Sequence, residues 1–303
     1  MSEASNETTR PAGFIGLGLM GSAIAANLLR RTPLVVWNRT RSACDVLEEL
    51  GAAVMDSAEE VFERARIVFV MLSDETAIDA VLKFDDTVQY QGRTVVLIST
   101  VAPAYSLALS RRILDAGGAY IEAPVSGSRQ PAVEGKLISM VAGDPATLEQ
   151  ADSLIHAMST TVFRCGQVPA ALKMKLAVNT FLITLVTGLA ESFHFAEANG
   201  VDAEILRRVL DAGPMASAVS RAKSSKLTQE DWGPHAAIPD VLKNSRLVQD
   251  QARRTGNASP LIDVCTDLYF ETEALGHSVH DMASVIYALR NRTETRTDHT
   301  QAT

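Results

Sequence analysis

From residue 12 to about residue 165, short apolar runs alternate with longer stretches whose apolar residues recur every three or four positions. The runs GFIGLG, PLVVWN, IVFVML, TVVLIST, AYIEAP and LISMVAG are rich in β-formers, which predicts strands. Between them, SAIAANLLRR, RSACDVLEELG and SLALSRRILDAGG carry helical spacing. Near-continuous apolar strands alternating with helices predict an α/β fold, a parallel sheet covered by helices on both faces. After Val168 the pattern changes. VPAALKMKLAVNTFLITLVTGLAESFHFAEANG predicts one long helix stopped at Asn199-Gly200. AEILRRVLDA, AIPDVLKNSRLVQDQARRTG and LIDVCTDLYFETEALG predict further helices, and no strand of comparable quality follows Val162. The expected organisation is a nucleotide-type α/β domain over 12–165 and an all-α domain over 166–290, joined by the long helix. Polar, disordered tails are expected over 1–11 and 291–303.

Composition narrows the partners. Hydrophobic residues make up 47% of the 303 and charged residues 21%, a core-forming balance. The net charge of −8 argues against a nucleic-acid surface. Cys44, Cys165 and Cys265 lie far apart with no CxxC, which suits a reducing, cytoplasmic setting. The first residues lack the apolar stretch of a signal peptide. The most apolar stretch, Leu176–Leu189, is short for a bilayer span and carries Asn179, so a buried helix is expected and no membrane. The six histidines show no metal-binding spacing, and no metal is expected.

Gly16-Leu17-Gly18-Leu19-Met20-Gly21 is a GxGxxG turn set directly between a predicted strand and a predicted helix. The first glycine permits the tight turn. The second lets backbone approach a pyrophosphate, and the third lets helix pack on strand. The helix start adds free N–H groups and a positive dipole end, so the segment predicts a dinucleotide site. The second strand ends at Asn38-Arg39-Thr40, where an NAD-selective fold places an acidic residue for the adenosine ribose. A guanidinium here pairs with a 2′-phosphate, which favours NADPH over a weaker use of NADH.

Four blocks resemble the β-hydroxyacid dehydrogenases, also called the 3-hydroxyisobutyrate dehydrogenase family. They are GFIGLGLMG, Ser99–Pro103 (STVAP), Glu122–Ser128 (EAPVSGS) and Lys173–Asn179 (KMKLAVN). WNRT, MLSD, APVSGS and KMK are most similar to the glyoxylate/succinic semialdehyde reductase branch. The resemblance runs from about Ala12 to Leu289. It implies a Rossmann-type NADP-binding domain, a long inter-domain helix, an all-α domain that binds substrate and dimerises, and reduction of short carbonyl acids.

The blocks also have a physical reading. Lys175 and Asn179 are four apart and share a helix face. In the family the matching lysine is the catalytic acid/base, with Asn179 orienting it and binding substrate. Lys173 competes, but it points about 160° away on the helical wheel. The Ser126-Gly127-Ser128 turn offers N–H groups and hydroxyls for a carboxylate, and by resemblance it anchors the substrate. Thr100 ends a strand on the ligand-binding edge, which the family match places near nicotinamide and substrate. Met71, Leu72 and Ser73 end another strand and are expected along the cofactor. Lys243 matches a family lysine that reaches toward the cofactor. There the family usually continues with Asp where this chain has Asn244, and often has Phe where it has Ala236.

The leading expectation is an NADPH-dependent reductase of a small aldehyde or oxo acid. An imine reductase is the alternative, opposed by Lys175 and Ser126. A non-catalytic NADP-binding interaction protein is the alternative from another class. The apolar long helix and the family resemblance both suggest a homodimer.

Overall fold

The computed structural model describes residues 10–83 and 90–301. The tail expected before residue 10 therefore lies outside the described residues. The chain divides into two compact units after Lys175, inside the long helix, whereas the sequence pattern changes some ten residues earlier.

The first unit runs β1 (Ala12–Ile15), α1 (Leu19–Leu29), β2 (Leu34–Trp37), α2 (Asp45–Glu49), β3 (Ala53–Val54), α3 (Ala58–Arg64), β4 (Ile67–Val70) and α4 (Glu75–Leu82). It continues with β5 (Thr94–Leu97), α5 (Pro103–Asp115), β6 (Ala119–Glu122), β7 (Val125–Ser126), α6 (Arg129–Val133), β8 (Leu137–Gly143), α7 (Pro145–Met158) and β9 (Ser159–Gly166). The sheet order is β3-β2-β1-β4-β5-β6-β8-β7, with β9 on β8. The first six of these strands are parallel, in the doubly wound order of dinucleotide-binding domains. Beyond them the sheet becomes mixed: β8 runs antiparallel to β6 and β7, and β9 parallel to β8.

Strand alternation divides the apolar residues between two faces. Phe14, Val36, Phe69, Val96 and Ile121 enter one core layer. Ile15, Val35, Val70, Leu97 and Tyr120 enter the other. Each layer is closed by helices, because a parallel sheet has two apolar faces to cover. Strand β9 escaped the sequence pattern because its outward residues are mostly exposed; backbone pairing to β8 makes it a strand.

The second unit is helical. The long helix α8 (Ala170–Ala198) crosses into it and is followed by α9 (Ala203–Ala212), α10 (Ala218–Gln229), α11 (Ile238–Thr255), α12 (Pro260–Ala274) and α13 (Ile286–Gln301). With 29 residues, α8 is long and apolar enough to cross a bilayer, which corrects the shorter estimate from Leu176–Leu189. Its Leu176, Ile183, Val186, Ala190 and Phe193 are nevertheless buried in the second unit's core. Helix α10 has almost no apolar periodicity. A reciprocal Ser217–Ser220 cap starts it. It is then held by buried Lys223, which donates to both oxygens of Asp281 at 2.7 and 2.8 Å. The segment 291–303, expected as a disordered tail, is helical as far as Gln301. Its helix needs no apolar face there: Thr293 and Thr295 hydroxyls donate back to Leu289 and Asn291 carbonyls, and Arg292 pairs with Glu271.

Candidate active site

Sheet register gathers the candidate residues of the first unit. Trp37, Ile15, Val70, Leu97 and Glu122 are paired in one row across β2, β1, β4, β5 and β6. Each strand ends on that row or just past it. Asn38, Gly16, Met71 and, a little further past the row, Thr100 therefore follow it along a single carboxyl edge, where open α/β sheets bind ligands, whereas Ser126 is still in the sheet as the last residue of β7, paired with Ile138 of β8. Backbone bonds lock the row, from Gly16 N to Trp37 O at 3.1 Å and from Met71 N to Ile15 O at 2.9 Å.

Within the GxGxxG turn the three glycines differ. Gly16 has φ +99°, and a Cβ there would stand 2.1 Å from Met71 O. A Cβ on Gly21 would stand 2.1 Å from Gly16 O. Those two positions are demanded by the chain's own backbone. A Cβ on Gly18 would meet nothing within 4 Å, so its missing side chain leaves room for something outside the chain. Gly18 is the N-cap of α1, and no side chain caps that helix start. Open space before uncapped N–H groups fits a dinucleotide pyrophosphate. Leu19 beside it is exposed and Met20 half-buried.

The end of β2 divides its polar residues between two tasks. Asn38 Oδ1 accepts from Leu17 N at 2.9 Å, and its Nδ2 donates to Thr40 O. Its amide is thus spent on holding the glycine loop rather than left facing outward. Arg41 pairs with Asp45 and Glu48. Arg39 and Thr40 are exposed, and among the described residues no carboxylate pairs with Arg39.

After β4, Met71 and Leu72 are half-buried and Ser73 is exposed. The Ser99 hydroxyl stitches this turn to the end of β5: it donates to Leu72 O and accepts from Leu72 N, both at 2.8 Å. Thr100, the next residue, is half-buried. Beyond β6, Gly127 has φ +136°, a conformation that only glycine adopts freely. Ser126 and Ser128 are half-buried, and among the described residues neither hydroxyl makes a hydrogen bond.

Helix α8 carries Lys175 and Asn179. Lys175 is half-buried, whereas Lys173 is exposed, as the helical wheel predicts. Asn179 is 2% exposed, and its Nδ2 has no acceptor among the described residues. A buried amide donor without an acceptor costs free energy. That makes it a candidate for donating to a bound molecule.

One residue of this edge escaped the sequence reading. Glu122 is fully buried, and its Oε2 accepts from the backbone N–H groups of Ala171 and Leu172, at 3.1 and 3.2 Å. Its Oε1 accepts from Ser106 Oγ at 2.5 Å. The signal available was a carboxylate inside the otherwise apolar run AYIEAP. In the second unit, Lys243 lies half-buried in a surface groove of about 310 Å³ with Leu242, Arg246 and Asp250. Asn244 Oδ1 is buried without a donor among the described residues. Ala236 is fixed by backbone bonds, its N–H to Asp281 and its carbonyl from Met282.

Comparison with known proteins agrees with this geometry. Residues 11–166 match the family model of the NAD binding domain of 6-phosphogluconate dehydrogenase. Residues 170–289 match that of the NAD-binding of NADP-dependent 3-hydroxyisobutyrate dehydrogenase. The chain belongs to the β-hydroxyacid dehydrogenase family. It is an NAD(P)-dependent oxidoreductase of that type, with a nicotinamide dinucleotide as cofactor. A chloroplastic relative, glyoxylate/succinic semialdehyde reductase 2 of Arabidopsis thaliana, is 33% identical over 92% of this chain and 79% of its own length. The human cytokine-like nuclear factor N-PAC is also 33% identical, but the chain spans only 52% of it. Among solved structures, Mycobacterium tuberculosis 3-hydroxyisobutyrate dehydrogenase with L-serine is 25% identical, with a TM-score of 0.83 over 93% of this chain and 99% of that one. A Pseudomonas imine reductase shares the fold at 20% identity and a TM-score of 0.61, over 92% of this chain and 99% of that one.

Proposed function

We propose that this family member reduces a short aldehyde or oxo acid with NADPH, and that Lys175 is the proton donor. One observation carries the reading. The helix bearing Lys175 and Asn179 begins on Glu122, a member of the same edge row that carries the glycine loop, and the chain runs on from Glu122 through β7 to the Ser126–Ser128 turn. When bound, the reduced nicotinamide supplies a hydride to the substrate's carbonyl carbon. The Lys175 ammonium hydrogen-bonds the carbonyl oxygen and passes a proton to it as negative charge develops there. Asn179 Nδ2 donates to the substrate, which satisfies its open valence. Ser126 and Ser128 hydroxyls, with the turn's N–H groups around Gly127, receive the substrate carboxylate. The start of α1 at Gly18 to Gly21 takes the pyrophosphate, and Arg39 takes the 2′-phosphate with Thr40 beside it. Asn38 acts one step back by holding Leu17. Met71, Leu72, Ser73 and Thr100 line the cofactor's path along the edge, and the family resemblance assigns Lys243 to the cofactor as well.

The test is a substrate panel of glyoxylate, succinic semialdehyde, other short oxo acids and cyclic imines, followed by NADPH absorbance. Turnover of the carbonyl acids is expected. Turnover confined to imines replaces this reading with imine reduction. No turnover at all, with NADPH still bound, favours the alternative of a non-catalytic NADP-binding interaction protein.

The second unit supports a homodimer. Phe181 and Phe195 on α8 are 69% and 68% exposed, and α12 adds exposed Leu261, Val264 and Phe270. A second copy of the chain would cover this apolar surface. Light scattering should give about twice the 32.5 kDa chain mass, and Phe181→Glu should shift it toward the monomer. A wild-type monomer at micromolar concentration contradicts the proposal.

A further inference from the structure

Glu122 is placed for more than stability. A buried carboxylate is costly unless hydrogen bonds and charge compensate it. Here three donors converge on it: Ser106 Oγ, Ala171 N and Leu172 N. Behind it, Ser106 Oγ lies 2.8 Å from the Tyr120 hydroxyl, and all three side chains are buried. Burial pushes the Glu122 carboxyl upward, while Ser106, the two amides and the charge of Lys173 pull it back. The amides it receives belong to the first turn of α8, where helix N–H groups have no partner within the helix and the dipole is positive.

The form of this cap is informative. Helices α3, α4, α7, α9 and α10 are capped locally, by the Ser or Asp just before each helix. The cap of α8 comes from 49 and 50 residues away, on the last residue of β6. A local cap would stabilise the helix equally well. A cap from the sheet does something a local one cannot: it fixes the start of α8 against the carboxyl edge. Lys175 follows within one turn, its N–H bonding back to the carbonyl of Ala171 in regular helix geometry.

We propose that Glu122, backed by Ser106 and Tyr120, is a positioning residue that sets where the Lys175 ammonium stands relative to the sheet edge. The proposal rests on the reading of Lys175 as proton donor. Small displacements of a reacting group are enough to cost one to two powers of ten in rate, by general experience of about 10²-fold per ångström.

A double-mutant cycle tests it, with an established substrate and separately measured NADPH binding. Glu122→Ala should lower kcat about tenfold or more, leave NADPH affinity within about twofold, and speed amide exchange at Ala171 and Leu172. Glu122→Gln keeps an acceptor and the shape, and should recover kcat to within about threefold of wild type. In a Lys175→Ala background, Glu122→Ala should change the residual rate less than about twofold, because its effect passes through Lys175. If it lowers both backgrounds equally, or lowers neither, Glu122 does not position Lys175. If Glu122→Ala does not fold, Glu122→Asp, whose carboxylate falls one methylene short, carries the same cycle. Near-wild-type turnover by Lys175→Ala alone sinks the assignment of Lys175 itself, an outcome distinct from an additive cycle.

Discussion

Replacing Lys175 with alanine should lower kcat by roughly two to four powers of ten, the size of a lost general acid. NADPH binding should stay near wild type, because the proposed phosphate contacts are Gly16–Gly21 and Arg39 rather than residues of α8. Lys175→Arg should also be poor. Guanidinium keeps the charge but scarcely releases a proton, and its planar fork has a different shape. The control is Lys173→Ala. Lys173 is exposed while Lys175 is half-buried, and Lys173 serves as one of the charges near Glu122. Its removal should cost little turnover. Steady-state kinetics with cofactor affinity measured by fluorescence titration decide the matter. If Lys173→Ala abolishes turnover and Lys175→Ala does not, the proton donor has been placed on the wrong helix face. If both variants reduce a cyclic imine as well as wild type does, imine reduction replaces the carbonyl reading.

Arg39→Ala should weaken NADPH by about one to two powers of ten and leave NADH almost unchanged, as expected when one charge-assisted phosphate contact is lost. The structure sharpens this test through Arg41, two residues on. Arg41 is engaged by Asp45 and Glu48, whereas no carboxylate pairs with Arg39 among the described residues. Arg41→Ala should therefore leave the NADPH/NADH ratio within about twofold, since it removes only exposed ion pairs. Asn38→Ala should behave differently again. It frees Leu17 N from its acceptor and should weaken both cofactors alike by loosening the glycine loop. Equal losses for the two cofactors in Arg39→Ala would remove Arg39 from the 2′-phosphate site.

Much of this protein is determined locally, and those parts are legible in the sequence. Six strands show as apolar runs, because a two-residue alternation between covered faces leaves both sets of positions apolar. The GxGxxG turn is legible by its spacing between an apolar run and a helical stretch, and a Cβ on Gly21 would meet Gly16 O within the same turn. Lys175 and Asn179 share a face by spacing alone. The long helix and its stop at Asn199-Gly200 follow from periodicity and a left-handed glycine with φ +67°.

Other features depend on partners distant in the chain, and only the tertiary structure decided them. Helix α10 forms despite weak periodicity because Lys223 finds Asp281, 58 residues on. Strand β9 exists because β8 offers it a ladder. Asn38 and Arg39 are neighbours of similar polarity, yet a hydrogen bond to Leu17 commits one to the loop and leaves the other exposed. Register, not composition, brings Asn38, Gly16, Met71 and Thr100 to one edge. Glu122 is the sharpest case. In the sequence it is one acid in an apolar run, and only the fold places the start of α8 against its carboxylate. The physical reason is the same throughout. Periodicity and turn chemistry act over a few residues and are written there, whereas a buried charge takes its meaning from whatever donor the folded chain brings to it.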